Sequence, residues 1–129
     1  MLPSYDVEFL GERHDGWSAT AEGGMTCVLI PGLVLPPGFT VAETNLLLRL
    51  STGYPDVKPD MWWFDPFVLR SDGRPIAATE SRETYLGRVW QRWSRHLQPH
   101  QWRSGVDSLE SYLSLVYSEL ASAAKPLAA

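Results

Sequence analysis

Read for its apolar positions, the chain falls into strand-like runs first and a helical stripe last. Tyr5 to Leu10 is short and β-prone with partial alternation, and Gly11 to Gly24 reads as a turn region around Trp17. Met25 to Leu35 is a strand interrupted by Pro31 and Gly32, as a bulge or an edge bend would interrupt it. Pro36, Pro37 and Gly38 force a turn, Val41 to Leu50 forms the next strand, and Ser51-Thr52-Gly53 ends it. Asp60 to Phe64 is the fourth strand, closed by Asp65-Pro66. The pattern predicts a four-stranded antiparallel meander with one apolar face. From Phe67 to Trp102 the period is lost, apart from a turn at Ser71 to Pro75, so this stretch is expected to be largely irregular. Connections of that length are uncommon inside a domain and are often functional. Leu109, Tyr112, Leu113, Val116, Tyr117 and Leu120 then recur at steps of three and four, the stripe of an amphipathic helix. Asp107 is its expected N-cap, Glu110 completes an acidic capping box, and Pro126 closes the segment. The class is α+β.

Length narrows the organisation: 129 residues predict a single domain, with a core over about 5–122 and a flexible tail at 123–129. No apolar run approaches the roughly 18 to 20 residues that cross a bilayer. The opening MLPSYDVEF lacks the basic and apolar regions of a signal peptide, so a cytoplasmic setting with no membrane contact is expected. Cys27 is the one cysteine, which excludes an internal disulfide and a multi-cysteine zinc site. A net charge of −4 argues against general nucleic-acid binding, which needs basic surface. Yet Arg82, Arg88, Arg92, Arg95 and Arg103 share one segment with Trp90, Trp93 and Trp102. Such a segment is either a solvated face with stacked arginines or a docking surface for an acidic protein or a single strand. Composition leaves both open.

Few residues offer chemistry. Cys27 sits in an apolar strand, the setting of an inert, buried thiol. His14, His96 and His100 are too scattered for a metal site, and Pro99 separates the last two. Ser94-Arg95-His96 remains. A serine hydroxyl needs a base to become a nucleophile. In an extended chain, residues two apart share a face, which would put His96 beside Ser94. Arg95 or Arg92 is the candidate donor to a developing oxyanion.

Two landmarks frame that serine. Leu46 to Trp63, LLLRLSTGYPDVKPDMWW, resembles the middle of the ubiquitin-conjugating (UBC) fold, where a strand ends in a Tyr-Pro turn, followed by a proline and another strand. The matching positions are Tyr54, Pro55, Pro59 and the strand from Asp60. In that family an irregular segment carries the catalytic cysteine, and a tryptophan follows eight residues later, before a helix. Trp102 takes the tryptophan's place, and counting back from it puts Ser94 where the cysteine would be. With LPPGF at Leu35 to Phe39 and the blocks WSRH and WRSGVDSLESYL, the chain is similar to bacterial UBC-like proteins found beside ubiquitin-like proteins and ThiF-type activating enzymes. It departs from the family pattern in three ways: no His-Pro-Asn follows Asp65-Pro66, no N-terminal helix is expected, and serine replaces cysteine.

The resemblance implies a protein that accepts the C-terminus of a ubiquitin-like protein from an activating enzyme. Ser94 would carry it as an oxyester, His96 would be base or orienter, and Arg95 an oxyanion or tail contact. Trp102 would anchor the helix, while Tyr54, Pro55 and Pro59 would shape the loop. A ThiF-type activating enzyme and a deubiquitinase-like peptidase are the implied partners. No metal or organic cofactor is implied, because the activating partner would consume the ATP. The alternative is an inactive scaffold of the same fold.

Overall fold

The computed structural model describes residues 2–126. Its elements run α1 (Ser4–Arg13), β1 (Ser18–Glu22), β2 (Met25–Val34), β3 (Glu43–Leu50), β4 (Trp62–Asp65), β5 (Arg82–Tyr85), β6 (Arg88–Trp93), a 3-10 turn (Pro99–Gln101) and α2 (Leu109–Ala124). Six antiparallel strands, in the order β1-β2-β3-β4-β6-β5, replace the expected four.

The first correction is at the N-terminus, where the expected strand over Tyr5 to Leu10 is helix α1. Alternation would have put Tyr5, Val7 and Phe9 on one buried face. The structure instead buries Asp6 and Leu10, one helical turn apart, and leaves Tyr5 and Val7 exposed. An N-terminal helix is therefore present. The stretch read as a turn around Trp17 contains β1, whose sequence SATAE has no apolar alternation to announce it. Gly23 and Gly24, with φ of +59° and +77°, form a two-residue hairpin turn, and Glu22 pairs with Met25 across it.

Strands β2, β3 and β4 match their expected positions to within two residues. β2 shows its irregularity between Ile30 and Leu33, at Pro31-Gly32, as the proline pattern indicated. The segment from Phe67 to Trp102 is more ordered than its sequence suggests. It contains the β5–β6 hairpin, turned through Leu86-Gly87 at φ of +54° and +72°. β6 inserts beside β4, pairing Trp62 with Trp93 and Phe64 with Gln91, so β5 forms the outer edge.

One face of the sheet packs on both helices through Val28, Ile30, Leu46, Leu48, Trp62, Phe64 and Trp93, against Leu10, Leu109, Leu113 and Val116. The other face carries a smaller cluster of Cys27, Leu47, Trp63 and Trp90, with Tyr85 and Leu86 packed against it. The Glu22 carboxylate accepts the Leu86 N–H at 3.0 and 3.2 Å, which ties the β5–β6 turn back to β1 and curls the sheet.

Helix α2 begins one residue later than expected. Ser108 is the N-cap and donates its N–H to Ser111 Oγ at 2.9 Å, while Asp107 accepts from the Arg103 N–H at 2.7 Å. At its far end, Arg70 Nη1 donates to the carbonyls of Ala123 at 2.5 Å and Lys125 at 2.8 Å. The helix thus runs into the expected tail, of which residues 127–129 lie outside the described residues.

The same Arg70 grips Asp72 with Nε and Nη2, at 3.0 and 2.5 Å. Those hydrogen bonds hold the Asp72 carboxyl down to about 2, from an ordinary 3.8. A carboxyl depressed on folding stabilises the fold fully above its unfolded value and stops doing so as the pH falls through the folded one. Asp72→Asn should therefore flatten the acid side of the stability profile between about pH 4 and pH 2. Urea midpoints measured across that range check this.

Candidate functional site

Ser94 stands half-buried directly after β6. Its N–H donates to the Ala78 carbonyl at 3.0 Å, and the next carbonyl, of Arg95, accepts the Met61 N–H at 3.0 Å. Both gripping residues have left-handed backbones, Met61 at φ +61° and Ala78 at φ +57°. Non-glycine residues in that region cost about 1–3 kcal/mol each and persist where the surroundings over-determine them, often at functional sites. Two of the three such residues among the described residues thus clasp the Ser94-Arg95 backbone.

The pleat of β6 explains which side chains meet. Trp90, Arg92 and Ser94 alternate onto the outer face, with Gln91 and Trp93 turned to the helix side. Arg92 Nε donates to Ser94 Oγ at 3.0 Å. The same guanidinium reaches Ser81 Oγ through Nη2 at 3.3 Å and Glu83 through Nη1 at 3.0 Å. Glu83 also accepts from Trp63 Nε1 at 2.8 Å and from the Tyr85 hydroxyl at 3.0 Å. Partial burial pushes the Glu83 carboxyl up, but the bonds from Trp63 and Tyr85 and the Arg92 charge outweigh it, so it lies below its usual value.

Beyond Ser94 the pleat ends. The Arg95 N–H folds back to the Trp93 carbonyl at 3.1 Å, a three-residue turn centred on Ser94, so the two-residue alternation that would align His96 with Ser94 stops here. His96 lies exposed with Nδ1 2.5 Å from Asp60 Oδ1. With Nδ1–H donated to the carboxylate, Nε2 is the nitrogen left to accept a proton. Arg95 points elsewhere. Its Nε meets Glu119 at 2.6 Å and its Nη1 meets the Ala77 carbonyl at 2.9 Å, joining the loop to α2. It also borders an open cleft of about 420 Å³ lined by Arg70, Arg74 and Ile76. Of the two arginines weighed from the sequence, Arg92 is the one on the serine oxygen.

The landmarks hold the surroundings. Trp102 is buried, donates Nε1 to the Pro55 carbonyl at 2.8 Å, and packs between Tyr54 and Tyr112. Tyr54 donates its hydroxyl to Asp6 at 2.6 Å, and Pro59 is buried. Cys27 is 1% exposed in the outer-face cluster, opposite Arg49 of β3 but closed off from solvent, and a reactive thiol needs exposure as well as a nearby cation. Among the described residues no group of three or more His, Cys, Asp or Glu side chains is placed to hold a metal ion. No described helix is long and apolar enough to cross a membrane.

Sequence reasoning did not find Ser81, Glu83 or Asp60. The first two depend on the β5–β6 pairing, which sets Glu83 opposite Trp90. Two short β-prone runs around Leu86-Gly87 were the available signal.

A helix, a curled antiparallel sheet, a Tyr-Pro turn and a second helix introduced by a buried tryptophan define an α+β protein of the UBC-like class. The family described as Prokaryotic E2 family E matches residues 2–123, and the chain belongs to it. It is thus an E2-like protein, of a family whose work is with ubiquitin-like proteins and their activating enzymes. No curated protein sequence and no solved structure matches this chain.

Proposed function

We infer that this chain is a bacterial conjugating protein that accepts the C-terminus of a ubiquitin-like protein from a ThiF-type activating enzyme and carries it as an oxyester on Ser94. The observation that carries this reading is the Ser94 hydroxyl itself. In a chain of the E2 family it lies eight residues before the anchoring Trp102, at a turn clasped by two left-handed residues, with a guanidinium on its oxygen. A positioned cation favours the alkoxide that must form as the oxygen attacks. His96, oriented by Asp60, presents Nε2 as the base. Arg95, beside the cleft of Arg70 and Arg74, suits a contact to the incoming tail better than one to the reacting oxygen. Such a protein needs no cofactor of its own, works in the cytoplasm, and would leave removal of the conjugate to a deubiquitinase-like peptidase.

A second reading, an inactive scaffold that binds the same partners, has one observation in its favour. The Ser94 oxygen is bonded to Arg92, and His96 to Asp60, so the resting structure shows no base on the hydroxyl. The deciding mixture contains the chain, its activating enzyme, the ubiquitin-like protein and ATP. A covalent adduct that survives reductant, yields to mild base and disappears in Ser94→Ala is the expected result. No adduct under any condition favours the scaffold. An adduct lost on adding thiol and absent in Cys27→Ala would assign the chemistry to Cys27.

A further inference from the structure

We propose that the oxyanion of this transfer is bound by the Nε/Nη2 edge of Arg92 together with the Ser81 hydroxyl. The proposal rests on Ser94 as acyl carrier and supplies the group that stabilises the charge. A guanidinium holds its donors in rigid forks, and a fork suits two oxygens attached to one carbon. This chain shows the intended use at Arg70, whose Nε and Nη2 take the two oxygens of Asp72 at 3.0 and 2.5 Å. On Arg92 the same edge is filled by oxygens of two different residues, Ser94 Oγ at 3.0 Å and Ser81 Oγ at 3.3 Å. Its third nitrogen, Nη1, is held by Glu83 at 3.0 Å, and Glu83 is fixed by Trp63 and Tyr85. The edge is therefore aimed before any substrate arrives. The Arg92 N–H also donates to the Ser81 carbonyl at 3.0 Å, which keeps that residue alongside.

Attack on the thioester changes what the fork sees. A bond forms between Ser94 Oγ and the carbonyl carbon, the hydroxyl proton passes to His96 Nε2, and the carbonyl π pair moves onto its oxygen. Two oxygens then sit on one carbon, the arrangement the fork holds at Asp72. Ser81, whose oxygen already accepts from Nη2, has its own O–H free to donate to the new charge. When the C–S bond breaks, the activating enzyme's thiolate takes the bonding pair and the proton from His96, and the oxyester remains. Donors better matched to the intermediate than to the resting hydroxyls lower the barrier. Arg95 is not available for this, because Nε and Nη1 are bound to Glu119 and the Ala77 carbonyl.

A fluorophosphonate probe tests the site without any protein partner. It phosphonylates an activated serine with loss of fluoride and puts its phosphoryl oxygen where the oxyanion forms. Ser94 should be labelled in the wild type. Loss of one such donor costs roughly 10²-fold or more in rate, so Arg92→Lys, a cation without a fork, and Ser81→Ala should each slow labelling by about that factor. Ser81→Thr should restore it to within a few-fold, with urea midpoints showing that all variants stay folded. Labelling at the wild-type rate in both Arg92→Lys and Ser81→Ala, or no labelling of Ser94 in the wild type, overturns the proposal. Labelling that depends on Arg92 and Ser81, in a protein that forms no ubiquitin-like adduct, keeps the oxyanion site and removes the conjugating reading.

Discussion

Replacing Asp6 with alanine is expected to cost about 3–4 kcal/mol of folding stability, a large share of what a domain this size has. Asp6 lies in α1 with no exposed surface, and its two oxygens serve two distant elements. Oδ2 accepts the Tyr54 hydroxyl at 2.6 Å, and Oδ1 accepts the Leu109 N–H at 2.9 Å. Leu109 opens α2, so the carboxylate both satisfies an orphan donor and faces the positive end of a 16-residue helix. Burial and the Asp6 carboxylate together hold the Tyr54 phenol protonated far above its usual range. Hydrogen bonds to a charged group are worth about 1.5–3 kcal/mol, and alanine strands both donors in the interior. Asp6→Asn keeps an acceptor for Leu109 and should cost less, about 1–2 kcal/mol, the difference being the charge. Urea denaturation of the two variants measures this. A loss under 1 kcal/mol for Asp6→Ala would mean that the carboxylate does not join the helices to the Tyr-Pro turn.

Gln91→Ala is expected to cost a similar amount, about 3 kcal/mol, and to release the loop that follows β4. Gln91 is wholly buried, and its side-chain amide does the work of a missing strand. It accepts the Val68 N–H at 2.7 Å and donates to the Val68 carbonyl at 3.1 Å. The same oxygen accepts the indole N–H of Trp93 at 3.1 Å. Removing the amide leaves three buried polar groups without partners, as well as a cavity. The effect should reach the candidate site, because the loop pinned at Val68 continues to Ala78, whose carbonyl holds the Ser94 N–H. Loss of hydrogen-exchange protection at Val68 and Ser94, with a lowered urea midpoint, is the expected signature. Protection at both amides equal to wild type would detach the loop from Gln91.

Both substitutions concern polar residues, and that marks the boundary of what the chain disclosed in one dimension. The strands from Met25, Val41 and Asp60 and the helix after Asp107 have a buried face with a repeating period, and the structure has them where the period put them, within a residue or two. Elements with weak periods were misread. Tyr5 to Leu10 alternates slightly, yet its fold follows Asp6 and Leu10 into the core as a helix. Strand β1 has no apolar side chain larger than alanine, and β5 is charged, so neither carries a burial signal. Each exists because a neighbouring strand offers it a ladder.

The candidate site divides the same way. Spacing from Trp102 was enough to single out Ser94, since a landmark and a count need no coordinates. Arg92 was one of two candidates for that hydroxyl, but the groups that hold it there were beyond reach, because Ser81 and Glu83 arrive through a hairpin that the pattern did not reveal, and the turn at Ser94 sends His96 to Asp60.

By itself, then, the sequence determined strands β2 to β4 and the C-terminal helix, and it singled out one serine by spacing, because periodic burial and proline-punctuated turns are local properties. The tertiary structure alone decided the first helix, the two edge strands, the inserted strand β6 and the choice of Arg92 over Arg95 beside the hydroxyl. The strands depend on ladders with their neighbours, and the helix and the arginine choice on polar contacts between residues far apart in the chain, Asp6 with Leu109 and Arg95 with Glu119; none of these leaves a periodic apolar pattern in the sequence.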